Sequence, residues 1–163
     1  MKEVGLQNSV FSALVDDGDY ESVSGYKWYL HSYGYAYSYS RLDGKRKNFF
    51  MHRKIIPVSK GKSIDHINGN PLDNRRENLR VCTHKENIRN RKKGLKKTTS
   101  KYKGVFLHKC KKWQAQIKID GKRVYLGLYE LEVDAAKAYN EASKKHFGEY
   151  GRLNIFGIVH FKA

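Results

Sequence analysis

The chain has 163 residues, and its 33 Lys and Arg residues against 16 Asp and Glu residues give a formal net charge of +17 at pH 7. Such an excess attracts polyanions, and nucleic acid is the first candidate. The sequence contains no uninterrupted apolar run long enough to cross a bilayer and no basic amphipathic helix with a bulky apolar face, which argues against a membrane partner. Two cysteines suit a reducing compartment, and the chain starts without the apolar stretch of a secretory signal, so we expect a cytoplasmic protein.

Residues 1–50 are rich in Tyr, Val and Phe, a composition that predicts a β-rich region. Asp43-Gly44 separates two alternating segments, which predicts an antiparallel hairpin with a tight turn at this pair. In the first segment aromatic and small residues alternate, so one strand face is either a packed aromatic surface or a platform that contacts DNA. The tyrosines expected on this face are Tyr33, Tyr35, Tyr37 and Tyr39.

The next stretch, IDHINGNPLDNRRENLRVCTHKEN at residues 64–87, is polar where a core strand would be apolar. Asp65 and His66 are adjacent, so on a strand they would point to opposite faces. Hydrolysis of a phosphodiester needs a base for the water and a cation for the phosphate, and this pair offers a histidine base and a carboxylate metal ligand. The other acidic and amide residues early in the stretch are interpreted as turn formers: Asn68, Asn70, Asp73 and Asn74.

The following segment, HKENIRNRKKG, predicts a short cationic helix that ends near Gly94, with Ile88 as its inward residue. This helix has little apolar surface. We therefore expect a metal or the phosphate backbone of DNA to stabilise it.

Residues 51–95 resemble the HNH endonucleases, through Asp65-His66, Asn78 in RRENLR and Asn87 in HKENIRN. The resemblance implies a ββα-metal motif in which His66 is the general base and Asn78 organises the loop. It also implies that Asp65 and Asn87 hold a divalent metal. Asn87 stands where the family name has a His, a variant familiar in the phage and intron-encoded homing branch. Because carboxylate and amide oxygens are hard ligands, Mg²⁺ or Mn²⁺ is favoured over Zn²⁺.

Other residues near this motif have roles that depend on the same resemblance. His52 matches a recurrent His of related phage enzymes, and its role is left open between structural and functional. The cationic residues around the motif are expected to hold DNA: Arg75, Arg76, Arg80, Arg89 and Arg91.

A basic linker is predicted at residues 96–101, because this segment is cationic and has no periodic apolar pattern. Beyond it, three short strands are predicted, the last two joined at Asp120-Gly121. A helix follows and ends at Gly148. Its inward residues repeat at helical spacing: Leu131, Ala135, Ala138, Tyr139 and Ala142.

Residues 102–155 resemble the APETALA2-type domain of plant ethylene-response factors, through Lys103-Gly104-Val105, Trp113, the run YLGLYELEVDAAKAYNEA and Leu153-Asn154. The resemblance implies a three-stranded sheet that enters the major groove of DNA, with the helix behind it. Trp113 and Tyr125 could instead pack under the sheet. The residues that match contacting positions are Lys103, Trp113, Lys118, Arg123 and Tyr125.

The sequence thus predicts an α+β fold: a β-rich region at 1–50, the ββα-metal motif at 51–95, a three-stranded antiparallel sheet packed on one helix at 102–155, and a tail at 156–163. The predicted function is that of a site-directed, homing-type endonuclease that uses one divalent metal and binds double-stranded DNA. No obligate protein partner is predicted. If the chain is encoded by a phage, the expected location is the host cytoplasm.

Three alternatives remain open from the sequence. The first is a catalytically inert DNA-binding regulator that retains an HNH remnant, and the second is an RNA-binding accessory protein. The third is a zinc site built from Cys82-x-His84 and His108-x-Cys110, which is disfavoured by the single-residue spacing and by the location of the two pairs in different modules.

Overall fold

The computed structural model describes residues 1–94 and 98–156. The chain folds as two compact units, Met1–Ile88 and Arg89–Ala163. Residues 96–97 of the predicted linker and residues 157–163 of the predicted tail lie outside the described residues.

The first unit is built from small antiparallel sheets and short helices. β1 pairs with β2, β4 lies between β3 and β5, and β6 pairs with β7. In chain order the elements are β1 (Lys2–Gly5), β2 (Ser12–Val15), α1 (Asp17–Ser24), β3 (Tyr29–Leu30), β4 (Ala36–Leu42), β5 (Lys45–Phe50), α2 (Met51–Ile55), β6 (Lys62–His66), a 3-10 turn (Arg76–Asn78), β7 (Leu79–Thr83) and α3 (His84–Asn90), the last of which ends in the second unit.

The hairpin predicted at Asp43-Gly44 is confirmed. Both residues have positive φ angles, 50° and 74°, and the flanking residues pair across the turn. The expected row of tyrosines on one strand is wrong in part, because β4 begins only at Ala36. Tyr33 and Tyr35 precede the strand in a turn in which the N–H of Gly34, with φ 85°, donates to the carbonyl of His31.

The first unit has one hydrophobic core that joins its N-terminal region to the ββα segment. Trp28 and Met51 are almost fully buried, and the indole N–H of Trp28 donates to the carbonyl of Val23 at 2.8 Å. Ile64 of β6 and Leu79 of β7 belong to the same cluster of buried side chains. The β6–β7 hairpin is therefore held by packing against the sheets that precede it.

A capping box begins α3. Thr83 donates its backbone N–H and its hydroxyl to the Glu86 carboxylate, and the N–H of Glu86 donates to the Thr83 hydroxyl oxygen. The helix ends at Asn90, before Gly94. The expectation that Ile88 points inward is wrong, because Ile88 is 45% exposed while Asn90 is buried.

The second unit confirms the predicted sheet and helix. β8 (Val105–Leu107), β9 (Trp113–Ile119) and β10 (Lys122–Tyr129) form an antiparallel sheet in the order β10-β9-β8. The turn between the last two strands has φ angles of 47° and 86° at its two residues. Helix α4 (Glu132–Phe147) follows, and a 3-10 turn (Gly148–Tyr150) comes after it.

Helix α4 covers one face of this sheet with small and aromatic residues. Ala135 packs with Ala115, and Tyr139 packs with Ile117. A Cβ at Gly104, where φ is 77°, would lie 2.0 Å from the Tyr139 ring, so this close approach requires glycine. The expectation for Leu131 is wrong: it caps the helix and is 62% exposed, because the helix starts one residue later.

Residues on both sides of the undescribed segment 95–97 are bonded to the second unit. The Lys93 ammonium donates to the carbonyls of Ser100, Tyr102 and Val105 at 2.7, 2.7 and 3.1 Å. The Leu107 N–H donates to the Thr99 hydroxyl oxygen. The segments 89–94 and 98–101 are therefore structural parts of this unit.

We expect that a fragment starting at residue 89 is more stable than one starting at residue 98. The shorter fragment lacks Lys93 and its three carbonyl contacts, and hydrogen bonds from a charged group contribute about 1.5–3 kcal/mol each. Urea unfolding of both fragments should show a difference of at least about 2 kcal/mol. Equal unfolding free energies would contradict the assignment of residues 89–94 to this unit.

Candidate active site at the end of β6

The adjacent acid and histidine of the sequence motif lie at the end of β6 and are both buried. Asp65 and His66 are each 5% exposed. Asp65 faces Arg80 across the hairpin, and the Arg80 guanidinium donates from Nη2 and Nε to Oδ2 of Asp65 at 2.6 and 2.9 Å. Because side chains alternate along a strand, His66 shares its face with Ile64, which packs in the core.

Asn78 connects the two ends of the loop that follows β6. Its side-chain oxygen accepts from the N–H of Asn68 at 2.9 Å, and its side-chain nitrogen donates to the carbonyl of Asp73 at 2.7 Å. Its backbone carbonyl accepts from the N–H of Ile67. These three bonds fix the shape of the loop directly after His66.

Asn74 contacts the His66 ring, although the sequence pattern predicts only a turn former at this position. Its Oδ1 lies 3.3 Å from Nε2 of His66. Asn74 is fully buried, its side-chain nitrogen donates to the carbonyl of Leu72, and its backbone N–H donates to the carbonyl of Leu14. No local sequence signal separates this asparagine from its neighbours, because the contact joins residues eight positions apart.

Aromatic rings surround His66 on another side. The His52 ring lies 5.2 Å from it, edge to face at 88°, and the Tyr35 ring lies 5.7 Å away. Phe50 stacks on His52 at 5.5 Å and 8°. His52 is 7% exposed, and among the described residues its Nδ1 has no hydrogen-bond partner.

Burial favours the neutral form of both histidines. It lowers the pKa of His66 below its ordinary value, although the hydrogen bond with Asn74 and the charges of Asp65 and Asp73 act in the opposite direction. Burial, with smaller contributions from the charges of His66 and Arg53, lowers the pKa of His52 to about 3. Both rings are therefore uncharged at neutral pH.

The predicted metal ligands are Asp65 and Asn87, which are in different elements. Asn87 lies in α3, which directly follows β7, and its side chain is partly exposed. In the chain as described, with residues 95–97 and 157–163 left out, no group of three or more His, Cys, Asp or Glu side chains is placed to hold a metal. A metal on this pair would take a carboxylate and an amide oxygen from the protein and complete its shell with water or phosphate oxygens, as Mg²⁺ commonly does.

The arginines nearest to the loop bind acidic side chains of the fold. Arg75 forms a two-point contact with Asp73, at 2.8 Å for both bonds, and an ion pair with Glu77. The hydrogen bond with Asp73 raises the pKa of Arg75. Arg76 forms a similar two-point contact with Asp19, at 2.7 Å for both bonds.

Arg89 and Arg91 lie at the start of the second unit. The Arg89 guanidinium lies 4.5 Å from the Phe147 ring and 3.6 Å from the Asp120 carboxylate. Arg91 has an exposed side chain.

The predicted DNA-contacting residues of the sheet fall on two different faces. Lys118, Arg123 and Tyr125 are exposed, and β-pairing places Arg123 opposite Lys118 and Tyr125 opposite Gln116. These residues lie on the face that α4 does not cover. Trp113 alternates with them along β9 and packs against the core beneath α4.

The side chain of Lys103 turns back toward the protein. Its ammonium donates to the carbonyls of Arg89 and Arg91 at 2.6 and 2.7 Å. Burial, with a smaller contribution from the charge of Arg152, lowers the pKa of Lys103 to about 8. A lysine held in this way has less freedom to follow a phosphate than an exposed one.

The two cysteines of the zinc alternative differ in burial. Cys82 is buried, and burial raises the pKa of its thiol. Cys110 is exposed, and its sulfur lies 3.0 Å from Nδ1 of His108. Each Cys-His pair supplies two ligands. A structural zinc ion takes four, so neither pair by itself forms a structural zinc site.

Comparison with known proteins shows which family the chain belongs to. The HNH endonuclease family model matches residues 54–89, which contain Asp65, His66, Asn78 and Asn87. An uncharacterised HNH endonuclease of Acanthamoeba polyphaga mimivirus is 32% identical over 144 residues, which cover 87% of this chain and 74% of that protein. The chain belongs to the HNH endonuclease family.

Two further similarities cover parts of the chain. APETALA2-like protein 2 of Oryza sativa subsp. indica is 41% identical over 70 residues, which are 42% of this chain but 16% of the plant protein. A solved structure that describes DNA binding and cleavage by the HNH homing endonuclease I-HmuI matches 39% of each chain with 31% identity and a TM-score of 0.34. Among the helices in the described part of the chain, none has the length and apolar character needed to span a membrane.

The buried His52 predicts a dependence of stability on pH. The folded state binds a proton at His52 only near pH 3, whereas an unperturbed histidine binds one near 6.5. The unfolded chain therefore binds more protons between these values, and the free energy of unfolding falls as the pH drops from about 6.5 toward 3. Urea unfolding should show that this histidine alone contributes a loss of roughly 2 kcal/mol between pH 7 and pH 5.

The variant His52→Phe should show a smaller acid destabilisation, because phenylalanine fills the same space without a proton site. The exposed His84 provides the matched control, and His84→Phe should keep the full dependence. If His52→Phe and the parent lose stability equally between the two pH values, His52 is not held neutral.

Proposed function

We propose that this HNH endonuclease hydrolyses phosphodiester bonds of double-stranded DNA with one divalent metal and with His66 as the general base. The observation that carries the proposal is the buried Asp65-His66 pair at the end of β6, with the carboxylate and the imidazole on opposite faces of the strand. This arrangement separates a ligand for a cation from a base for water.

His66 has the properties that a general base requires. Burial lowers its pKa, so the ring is neutral at pH 7 and can accept a proton from water. The loop fixed by Asn78 and the contact with Asn74 hold the ring in position before substrate binds. The proton leaves the water as its oxygen attacks the phosphorus, the bond from phosphorus to the leaving 3′ oxygen breaks, and the imidazole becomes an imidazolium.

Asp65 and Asn87 would hold the metal, and their oxygens favour Mg²⁺ or Mn²⁺. When bound, such an ion supplies positive charge to the phosphate and to the leaving oxygen. Arg80 orients the Asp65 carboxylate through the hydrogen bonds that its Nη2 and Nε donate to Oδ2. In this role Arg80 acts on the metal ligand and not on a DNA phosphate.

The exposed face of the second unit is the candidate anchor for DNA. Lys118 and Arg123 stand directly opposite each other, and like charges in this position destabilise a sheet unless an anion lies between them. The aromatic Tyr125 shares the face, and the net charge of +17 attracts a polyanion from a distance. We further propose that the activity is of the homing type, as in phages and mobile elements, and that it acts on a specific DNA site in the host cytoplasm.

The first test compares His66→Ala with the parent protein in plasmid cleavage. Loss of a general base should lower the rate by about 10²–10⁴-fold. DNA affinity should stay within about twofold, because phosphate contacts dominate binding. The exposed residue His84 supplies the control variant His84→Ala, which should cut at the parental rate.

The same assay tests the metal and the rival functions. Excess chelator should abolish cleavage, and Asp65→Asn should raise the Mg²⁺ concentration needed. A parent protein that binds DNA but never cuts it, with Mg²⁺ or Mn²⁺ supplied, would favour the inert regulator. Tighter binding of duplex RNA than of duplex DNA would favour the RNA-binding accessory protein.

Removal of the two facing cations should weaken DNA binding without affecting the chemistry. In Lys118→Ala/Arg123→Ala the slope of log affinity against log salt should become shallower by about 1.8, since each phosphate contact contributes about 0.9. The cleavage rate at saturating DNA should match the parent. A charge-matched control is Lys144→Ala/Lys145→Ala on the exposed side of α4. Equal salt slopes in both double variants would exclude this face as the anchor.

A further inference from the structure

Two buried polar groups contact the His66 ring but neither accept the proton nor bind the metal in the proposed function. One is Asn74, which is 0% exposed, and the other is His52, which is 7% exposed. Both groups contact the same ring.

The orientation of the Asn74 amide is fixed by its own hydrogen bonds. Its side-chain nitrogen donates to the carbonyl of Leu72 at 3.1 Å, which turns Oδ1 toward Nε2 of His66. An amide oxygen only accepts hydrogen bonds, so this contact requires the proton of the neutral imidazole to be on Nε2. The other ring nitrogen of His66, Nδ1, then carries the lone pair.

The plane of the His66 ring is fixed by His52. The two rings meet edge to face at 88° with their centroids 5.2 Å apart. His52 is itself held by stacking on Phe50 at 5.5 Å and by the Tyr35 ring at 5.3 Å. The His52 ring is thus contacted by the Phe50, Tyr35 and His66 rings. Because protein interiors are close-packed, it cannot rotate without displacing them.

We propose that Asn74 and His52 are positioning residues that together hold His66 in one orientation and one tautomer, so that Nδ1 of His66 is the atom that accepts the proton of the attacking water. This inference rests on the proposed role of His66 as general base. Asn74 determines which ring nitrogen of His66 is unprotonated, and His52 fixes the direction in which that nitrogen points.

The neutrality of His52 is part of this arrangement. Its pKa of about 3 keeps the ring uncharged wherever His66 is a base. A cation at this position would oppose the positive charge that forms on His66 during proton transfer. An aromatic and uncharged side chain is therefore required, which predicts that phenylalanine can replace His52 and that lysine cannot.

The direct test is the tautomer of His66 in the parent protein, and it needs neither DNA nor activity. Long-range ¹H–¹⁵N correlation spectra of protein labelled with ¹⁵N at histidine distinguish a protonated ring nitrogen from an unprotonated one. His66→Ala identifies the His66 signals by their loss. We expect a single Nε2–H tautomer at neutral pH. A proton on Nδ1, or a mixture of tautomers, would overturn the inference.

Single-turnover cleavage of prebound DNA tests the two positioning residues. Loss of such an orienting group typically lowers activity by about 10–100-fold. His52→Ala and Asn74→Ala should each reduce the single-turnover rate in this range while DNA affinity stays at the parental value. His52→Phe should restore the rate that His52→Ala loses, and His52→Lys should not. A parental rate in His52→Ala would remove His52 from the proposal.

Asn74→Ala also removes the hydrogen bond to the Leu72 carbonyl and can disturb the loop. Asn74→Asp loses the same bond to the Leu72 carbonyl but has the shape of asparagine, and either of its oxygens can accept from Nε2 of His66, so it should keep the Nε2–H tautomer. If Asn74→Asp gives the Nδ1–H form, Asn74 does not select the tautomer. A parent protein that shows the Nε2–H tautomer but cuts no DNA would refute the proposed function and leave the positioning geometry intact.

Discussion

The antiparallel register of β6 and β7 is the constraint on which the site depends. It places Asp65 opposite Arg80 and His66 opposite Leu79. Because side chains alternate with a period of two, a slip of one residue would exchange the faces of the acid and the histidine. Ile64 and Leu79 anchor the register by packing in the core of the first unit, so the chemistry of the hairpin depends on hydrophobic burial elsewhere in that unit.

The site also combines buried charge with buried neutral rings. Asp65 and Arg80 are nearly buried, and removing one partner of such a pair typically costs about 3–5 kcal/mol. His66 and His52 are instead kept neutral by burial on the other side of the strand. The hairpin thus places a carboxylate and an uncharged imidazole on opposite faces within two consecutive residues. This separation suits the roles proposed for them, a metal ligand for Asp65 and a general base for His66.

Cations of the chain serve two different purposes. Lys93 and Lys103 donate to backbone carbonyls and stabilise the second unit, while Arg75 and Arg76 pair with carboxylates around the loop. Lys118 and Arg123 remain on an open sheet face. A high net charge therefore indicates a polyanionic partner but does not identify which cations face it.

The sequence by itself determined the features that depend on neighbouring residues. The hairpins at Asp43-Gly44 and Asp120-Gly121 follow from turn chemistry, and α4 ends at Gly148 because glycine accepts a positive φ angle. The spacing of Asp65, His66, Asn78 and Asn87 identified the family.

Only the tertiary structure decided which other residues surround His66. Asn74, His52 and Tyr35 reach its ring from a loop, a helix and a turn, and no periodic pattern relates these positions. Packing between distant segments also decided that Ile88 is exposed and that Trp113 faces the core. Local patterns describe how a segment bends, whereas contacts between distant segments depend on how the packed core brings them together.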